Sequence, residues 1–272
     1  MGGDGLIGRS LRSFFGNFEC SCRFEYTSRR VETSDLKLDL TRLKETKVTF
    51  GNYEAIVLLA GMTQVANINE NLGLSWQTNV EAYQQLLLEL SPNQRIIFVS
   101  SNRVFANSRR FHEEIDQVNP SPLSAYGQQK AIIETLIRQL DLNATILRCT
   151  KIFNLEKGFI SASRDALSRG EKITAYSNSF ISPLSIKQVV EAIEKTIFDP
   201  SIRGIKHLSA NFECNYYDLI SSIAIKEFGS AELVTPILNR EFGIGLYDRL
   251  KVSAVFEGIS HNILTLEDLL CT

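Results

Sequence analysis

Tyr126 and Lys130 stand four residues apart in Ser124-Ala-Tyr-Gly-Gln-Gln-Lys130. On a helix that spacing puts a phenol and an ammonium on one face, a single turn apart. An ammonium so placed stabilises the phenolate, lowers the phenol pKa and makes Tyr126 a usable acid or base near neutral pH. Ser101 closes the apolar run that begins at Arg95 and offers a hydroxyl to a substrate carbonyl, with Asn102 beside it as a second substrate-facing group. The chemistry expected of Ser101, Tyr126 and Lys130 is proton transfer to a carbonyl oxygen. A tyrosine and a lysine at this spacing also occur as a solvated helix pair, so the rest of the chain must decide.

A second group of residues suits a dinucleotide. Gly2, Gly5 and Gly8 form a G-x-x-G-x-x-G turn that runs through Leu6 and Ile7 into the predicted helix LIGRSLRSFF. Glycines at this spacing let backbone N–H groups approach a pyrophosphate, and the helix dipole favours its negative charge. Thr27, Ser28, Arg29 and Arg30 follow the run CRFEY. Two hydroxyls and two guanidinium groups suit a 2′-phosphate, where an NAD site presents Asp or Glu. NADP(H) is therefore the expected cofactor, with NAD(H) as the alternative. Gly61 allows close backbone approach at the end of AIVLLA, Asn79 opens NVEAYQQLL, and Thr63 with Gln64 lies within reach of a substrate or nicotinamide.

The elements that must carry these residues alternate along the first two thirds of the chain. Strands are predicted over 20–26, 36–38, 55–60, 95–100, 144–149 and 205–210, and amphipathic helices over 75–90 and 124–140. This alternation implies an α/β fold, a Rossmann-like doubly wound parallel sheet with helices on both faces, whose ligands lie at the carboxyl ends of the strands. An NADP-binding domain is expected over 1–153, with 184–210 returning to it. A small substrate lobe is expected over 154–183, read as loop-rich, and over 211–272, read as mostly helical. Only Met1 precedes the glycine turn, so the first strand is read as missing through a misassigned or truncated start.

Composition narrows the function classes. The 272 residues are 44% hydrophobic with a net charge of -2, ample for a buried core and with no basic block to attract nucleic acid. No apolar run approaches the roughly 18 residues of a membrane span, and no signal peptide is read, so the cytoplasm is the expected location. The five cysteines, at 20, 22, 149, 214 and 271, show no metal-ligand spacing and are read as buried reduced thiols. His112, Glu113 and Glu114 are read as a solvated loop and His207 as a core histidine.

Taken together, Gly2-x-x-Gly5-x-x-Gly8, Asp39-Leu40, Leu59-Ala60-Gly61, Asn79-Val80, Ser100-Ser101-x-x-Val104-Phe105 and Pro122-Leu-Ser-Ala-Tyr126-Gly127-x-x-Lys130 resemble the extended short-chain dehydrogenase/reductases. The likeness is strongest to the NDP-sugar reductases of polysaccharide biosynthesis, with Phe180-Ile-Ser-Pro183-Leu resembling their substrate-lobe segment. The resemblance implies that Ser101 positions a carbonyl oxygen, Tyr126 donates a proton and Lys130 binds the nicotinamide ribose. It implies that Asp39 and Leu40 flank the adenine, that Leu59, Ala60 and Gly61 line the cofactor, and that Asn79 belongs to a proton relay. Cys149 and Ile152 would run past the nicotinamide, and the partner would be a nucleotide-sugar substrate. Relatives often dimerise through the helices over 75–90 and 124–140, which implies a homodimer. Asn102-Arg103 replaces the Asp-Glu pair of sugar dehydratases, which disfavours dehydration. An epimerase using the same residues, and a non-catalytic NADP-binding relative, stay open.

Overall fold

The computed structural model describes residues 1–17, 21–29, 36–45, 48–119, 124–154, 158–240, 246–261 and 265–270. In chain order its first elements are α1 (Leu6–Gly16), β1 (Thr27–Ser28), β2 (Leu36–Lys37), β3 (Ala55–Leu58), α2 (Val65–Glu70), α3 (Leu72–Trp76) and α4 (Ala82–Glu89). β4 (Arg95–Ser101), α5 (Ala125–Gln139), β5 (Ala144–Cys149), α6 (Phe159–Ser168), β6 (Ile173–Tyr176) and β7 (Ser179–Ile181) follow. The chain continues through α7 (Ile186–Phe198), β8 (Gly204–Leu208), β9 (Cys214–Asn215), α8 (Tyr216–Phe228), β10 (Val234–Ile237), β11 (Leu246–Asp248), α9 (Glu257–Ser260) and α10 (Leu266–Leu270). Two units are distinguished, one of Met1–Ala106, Ile115–Arg148 and Val190–Lys206, the other of Asn107–Glu114, Cys149–Val189 and His207–Thr272.

The expected α/β architecture is present as a parallel sheet in the order β3-β4-β5-β8, flanked by helices. β4 is buried from Arg95 to Ser100 and β5 along its whole length. Parallel strands covered on both faces need apolar side chains on both, which is why Ile96-Ile97-Phe98-Val99 is a continuous run rather than an alternating one. In the first unit, Ile56, Leu58, Ile96, Phe98 and Ile146 of the sheet pack with Leu86 and Leu87 of α4 and Ile133 and Ile137 of α5. Full burial of each such side chain contributes about 2 kcal/mol. Arg95, at the start of β4, donates to the carbonyls of Thr196 (2.8 Å), Asp199 (2.9 Å) and Ile202 (2.8 Å) and so caps the end of α7.

The second unit has its own core. Ile220 and Ile223 of α8 pack with Ile160 and Leu167 of α6, Ala175 of β6 and Val234 of β10. α8 is delimited at both ends: Asn215 Oδ1 accepts from the Asp218 amide at 2.8 Å, and Gly229 ends the helix at φ 79°. β6 pairs with β10 in parallel, and β7 lies between β11 and β9.

Three sequence expectations are corrected. The strand expected over 20–26 has no ladder over the described residues 21–26, and pairing starts at Thr27 and Ser28, against Leu36 and Lys37. A ladder needs a strand alongside, and a cavity of about 480 Å³ lies there instead, lined by Phe15, Phe24, Tyr26, Ala55, Val57 and Phe198. The stretch over 154–183 holds α6, β6 and β7 rather than mainly loop, and the C-terminal third contains β9, β10 and β11. These short strands owe their existence to partners distant in sequence, which local periodicity does not register.

Met1 stands alongside β3, its amine donating to the Val57 carbonyl and its own carbonyl accepting from Leu59 at 3.1 Å. Gly3 N donates to Thr27 O at 2.9 Å, so the glycine turn is stitched to β3 on one side and β1 on the other. The turn leaves no room at Gly8, where a Cβ would lie 2.3 Å from Gly2 O and 2.7 Å from Gly3 Cα. Gly8→Ala should therefore destabilise the protein by about 3 kcal/mol, read as a lowered urea midpoint with unchanged slope.

Candidate active site

The end of β4 and the start of α5 carry the candidate acid–base residues. Ser101 caps the short turn Asn102–Val104, its Oγ accepting from the Arg103 amide at 3.2 Å and contacting Asn102 Oδ1 at 3.3 Å. That turn packs against α5. α5 is started by Ser124, whose Oγ accepts from the Gly127 amide at 3.2 Å, and Tyr126 falls in the first turn. Lys130, one turn further, donates from Nζ to Val99 O at 2.8 Å and lies 5.9 Å from the Tyr126 ring centroid. Ser100 is buried and donates its hydroxyl to Glu134, whereas Ser101 is half-buried. Pro122 of the quoted motif lies outside the described residues.

The glycine turn has the chemistry of an anion cradle. Gly5 precedes α1 with no side-chain cap, and the first turn, with Leu6 and Ile7, carries no acidic residue. Its amides thus face the end of a dipole that favours negative charge. Gly2 adopts φ 91°, and a Cβ there would sit 2.8 Å from Ala60 N, so the turn presses directly on the end of β3. Gly5 is different: its nearest neighbour to a Cβ would be Gly2 O at 3.4 Å, and the residue is exposed. These features fit a dinucleotide pyrophosphate.

Thr27 and Ser28 are buried strand residues. Thr27 Oγ1 accepts from Gly2 N at 3.1 Å and Ser28 Oγ donates to Asp4 at 2.6 Å, so both hydroxyls brace the glycine turn. Arg29 is exposed, and Arg30 lies outside the described residues. Asp39 is half-buried and Leu40 buried beside it.

Asn79 is the hub of the loop after β3. Between α3 and α4 the helix widens into a π-turn over Gln77–Glu81, a deformation frequent at functional sites, and Asn79 is buried there. Its Oδ1 accepts from Met62 N at 2.8 Å, and its Nδ2 donates to Met62 O at 2.9 Å and Gln129 Oε1 at 2.8 Å. Gly61, at φ 139°, has no space for a Cβ, which would meet Asn79 Oδ1 at 2.6 Å. Sequence reasoning passed over two members of this arrangement. Gln129 lies inside the Tyr126–Lys130 motif and also donates to Ser75 Oγ at 2.9 Å. Tyr83, one helical turn after Asn79, donates to Ala60 O at 2.6 Å, and burial together with nearby Tyr126 raises its pKa. The i, i+4 spacing from Asn79 was the available signal.

Thr63 and Gln64 are exposed on the loop after Gly61. In the second unit Cys149 is buried, and Ile152 bridges to Leu184. Glu113 pairs with Lys251 at 3.0 Å and Glu114 accepts from Ser253, so the segment read as a solvated loop is pinned. His207 is fully buried. Cys22 is exposed, which corrects the expectation of buried thiols; Cys214 is buried, with its thiol pushed up to about 12 by burial. Cys20 and Cys271 lie outside the described residues. Among the described residues no helix is long and apolar enough to cross a membrane.

Residues 1–249 match the family model described as the RmlD substrate binding domain. The chain belongs to that family. Membership bears out the likeness to NDP-sugar reductases within the extended short-chain dehydrogenase/reductases. This RmlD-family chain is 22% identical over 211 residues to the spore coat polysaccharide biosynthesis protein SpsK of Bacillus subtilis, covering 76% of this chain and 73% of that one. It is 26% identical over 238 residues to methionine adenosyltransferase 2 subunit beta of Bos taurus, covering 82% and 70%. Among solved structures, dTDP-4-dehydrorhamnose reductase of Bacillus anthracis in complex with NADP superposes with a TM-score of 0.77 at 17% identity, over 99% of this chain and 96% of that one. DesIV, a dTDP-glucose 4,6-dehydratase of Streptomyces venezuelae with NAD bound, gives 0.78 at 19%, over 99% and 92%. Both share the fold of the RmlD-family chain.

Asp39 gives the site region a pH signature. Burial raises its pKa, but hydrogen bonds from the Thr41 hydroxyl (2.8 Å) and amide (2.9 Å), with the charges of Arg29 and Arg42, hold it below its ordinary 3.8. A depressed folded-state value means the unfolded chain takes up this proton first, so the contribution is present above about pH 3.8 and lost as pH falls through the folded value. Asp39→Asn should flatten the acid limb of stability against pH in urea titrations; an unchanged limb would contradict the assignment.

Proposed function

We propose that the chain is an NADPH-dependent ketoreductase acting on a keto group of a nucleotide-activated sugar. The observation that carries this reading is the Lys130 ammonium, bonded to Val99 O near the carboxyl end of β4, where α/β sheets hold their ligands, and 5.9 Å from the Tyr126 ring centroid, with the turn that Ser101 caps packed against the same helix. Support comes from the RmlD family match, from solved relatives of the same fold that carry NADP or NAD, and from a relative named for polysaccharide biosynthesis. The cytoplasm is the proposed location and a homodimer through 75–90 and 124–140 the proposed assembly.

The cofactor-binding groups are Gly2, Gly5, Leu6, Ile7 and Gly8 for the pyrophosphate, Arg29 for a 2′-phosphate, and Asp39, Leu40, Leu59, Ala60 and Gly61 along the nucleoside. NADPH, when bound, supplies the hydride. The remaining work belongs to side chains of this chain. Ser101 Oγ donates a hydrogen bond to the substrate's carbonyl oxygen, and Tyr126 Oη releases its proton to the same oxygen as charge develops there. The Lys130 ammonium, fixed by Val99 O, stabilises the phenolate left behind. Residues 154–183 and 211–272 are proposed to select the sugar.

A second reading is a non-catalytic NADP-binding subunit, favoured by the likeness to a protein named as the beta subunit of methionine adenosyltransferase. NADPH consumption in the presence of nucleotide keto-sugars separates the two: turnover supports the reductase, and NADPH binding without turnover supports the subunit. Tyr126→Phe should lower kcat by about 10²- to 10⁴-fold while leaving NADPH affinity unchanged. Arg29→Ala should weaken NADPH binding by about tenfold and spare NADH, measured by fluorescence titration; an intact preference would remove the 2′-phosphate assignment.

A further inference from the structure

Glu134 lies one turn beyond Lys130 and two turns beyond Tyr126 on the same face of α5, and none of its surface is exposed. Its carboxylate accepts the Ser100 hydroxyl at 2.5 Å and forms a two-point pair with Arg148, Nη2 to Oε2 at 2.7 Å and Nε to Oε1 at 3.1 Å. Arg148 is 1% exposed and also lies over the Phe105 ring, 4.7 Å from its centroid. Ser100 immediately precedes Ser101 on β4, Arg148 is near the end of β5, and Phe105 follows the turn that Ser101 caps. One buried carboxylate therefore joins three elements directly beneath the acid–base residues.

We infer that Glu134, with Ser100 and Arg148, is a positioning device that sets the height of α5 over the end of β4. The inference rests on the reading of Tyr126 and Lys130 as the acid–base pair. Lys130 donates to Val99 O, the residue before Ser100, so the Ser100–Glu134 bond and the Lys130–Val99 bond tie the same two elements within one turn. When the lower tie is cut, the strand end gains freedom relative to the helix. Lys130 then follows Val99 less faithfully and its ammonium spends less time near the phenol. Two titratable groups that face Tyr126 are Lys130 on its own helix and Tyr83 on α4. The Glu134 carboxylate is held by Ser100 and Arg148, so its influence on the phenol runs through backbone geometry. Glu134 is accordingly a positioning residue, and it exchanges no proton with substrate.

The test uses the full chain and two variants. Ser100→Ala removes the tie to β4 and leaves the Glu134–Arg148 pair intact. The double substitution Glu134→Leu with Arg148→Met removes both buried charges together, which avoids an uncompensated charge that would unfold the protein. The readout is the ¹³C signal of the Tyr126 phenol, assigned by its loss in Tyr126→Phe and followed through a pH titration. Both variants should raise its midpoint by about half a pH unit or more, because the ammonium no longer holds the phenolate as closely. Where the parent reduces a keto-sugar, kcat should fall about tenfold with KM for NADPH unchanged, and the alkaline limb of its pH profile, where Tyr126 loses the proton it donates, should move up with the phenol. A lowered melting temperature with an unmoved midpoint in both variants would reduce the triad to a stabilising contact and overturn the inference. A parent that binds NADPH without turnover would sink the reductase reading alone, since the phenol titration proceeds without substrate.

Discussion

A fully buried carboxylate admits few arrangements, and Glu134 constrains much of the first unit. Taking an ionised pair out of water costs several kcal/mol per ion, which is recovered only with good geometry and with the remaining lone pairs satisfied. Arg148 supplies the charge, and Ser100 supplies a further donor. Because these come from β5 and β4, α5 has little freedom to slide or roll. The two turns of α5 that precede Glu134 carry Lys130 and Tyr126, so a requirement of burial in the core becomes a requirement of position at the strand ends.

Polar satisfaction governs the neighbouring loop in the same way. The loop after β3 is held by a side-chain amide rather than by secondary structure, with Asn79 acting on the Met62 backbone in both directions and Gln129 completing its hydrogen bonds. Tyr83 fixes Ala60 just before it. The glycines divide by their surroundings. Gly2, Gly8 and Gly61 stand where a Cβ would collide with protein, whereas Gly5 is exposed at the end of a helix with amides to offer. Packing accounts for the missing side chain at the first three, whose backbones stay part of the proposed cofactor site, and ligand approach is the better account of the fourth.

Family membership leaves two roles in contention, because relatives of this chain are named both for polysaccharide biosynthesis and as a subunit of another enzyme. The chemistry of the strand ends weighs toward the first. A protein that only bound a dinucleotide would need the glycine turn and the basic residue beyond β1. It would have no use for the carbonyl-binding, proton-donating and phenolate-stabilising roles proposed for Ser101, Tyr126 and Lys130.

The sequence alone determined what short-range rules encode. β3, β4, β5, α4 and α5 were legible because their apolar residues follow periods of two, of three and four, or unbroken runs, and the Tyr126–Lys130 pair because an i, i+4 spacing has one geometric meaning on a helix. Tertiary structure decided everything that depends on a partner far along the chain. Residues 21–26 have strand composition and no ladder; β6 and β10 are short segments made into strands by each other. Thr27 and Ser28 read as hydroxyls offered to a 2′-phosphate, and they are buried supports of the glycine turn. Nothing local marks Glu134 and Arg148 as partners, and folding buries them together. A hydrogen bond or an ion pair is a property of two groups at a distance, and a linear pattern specifies only one of the groups at a time.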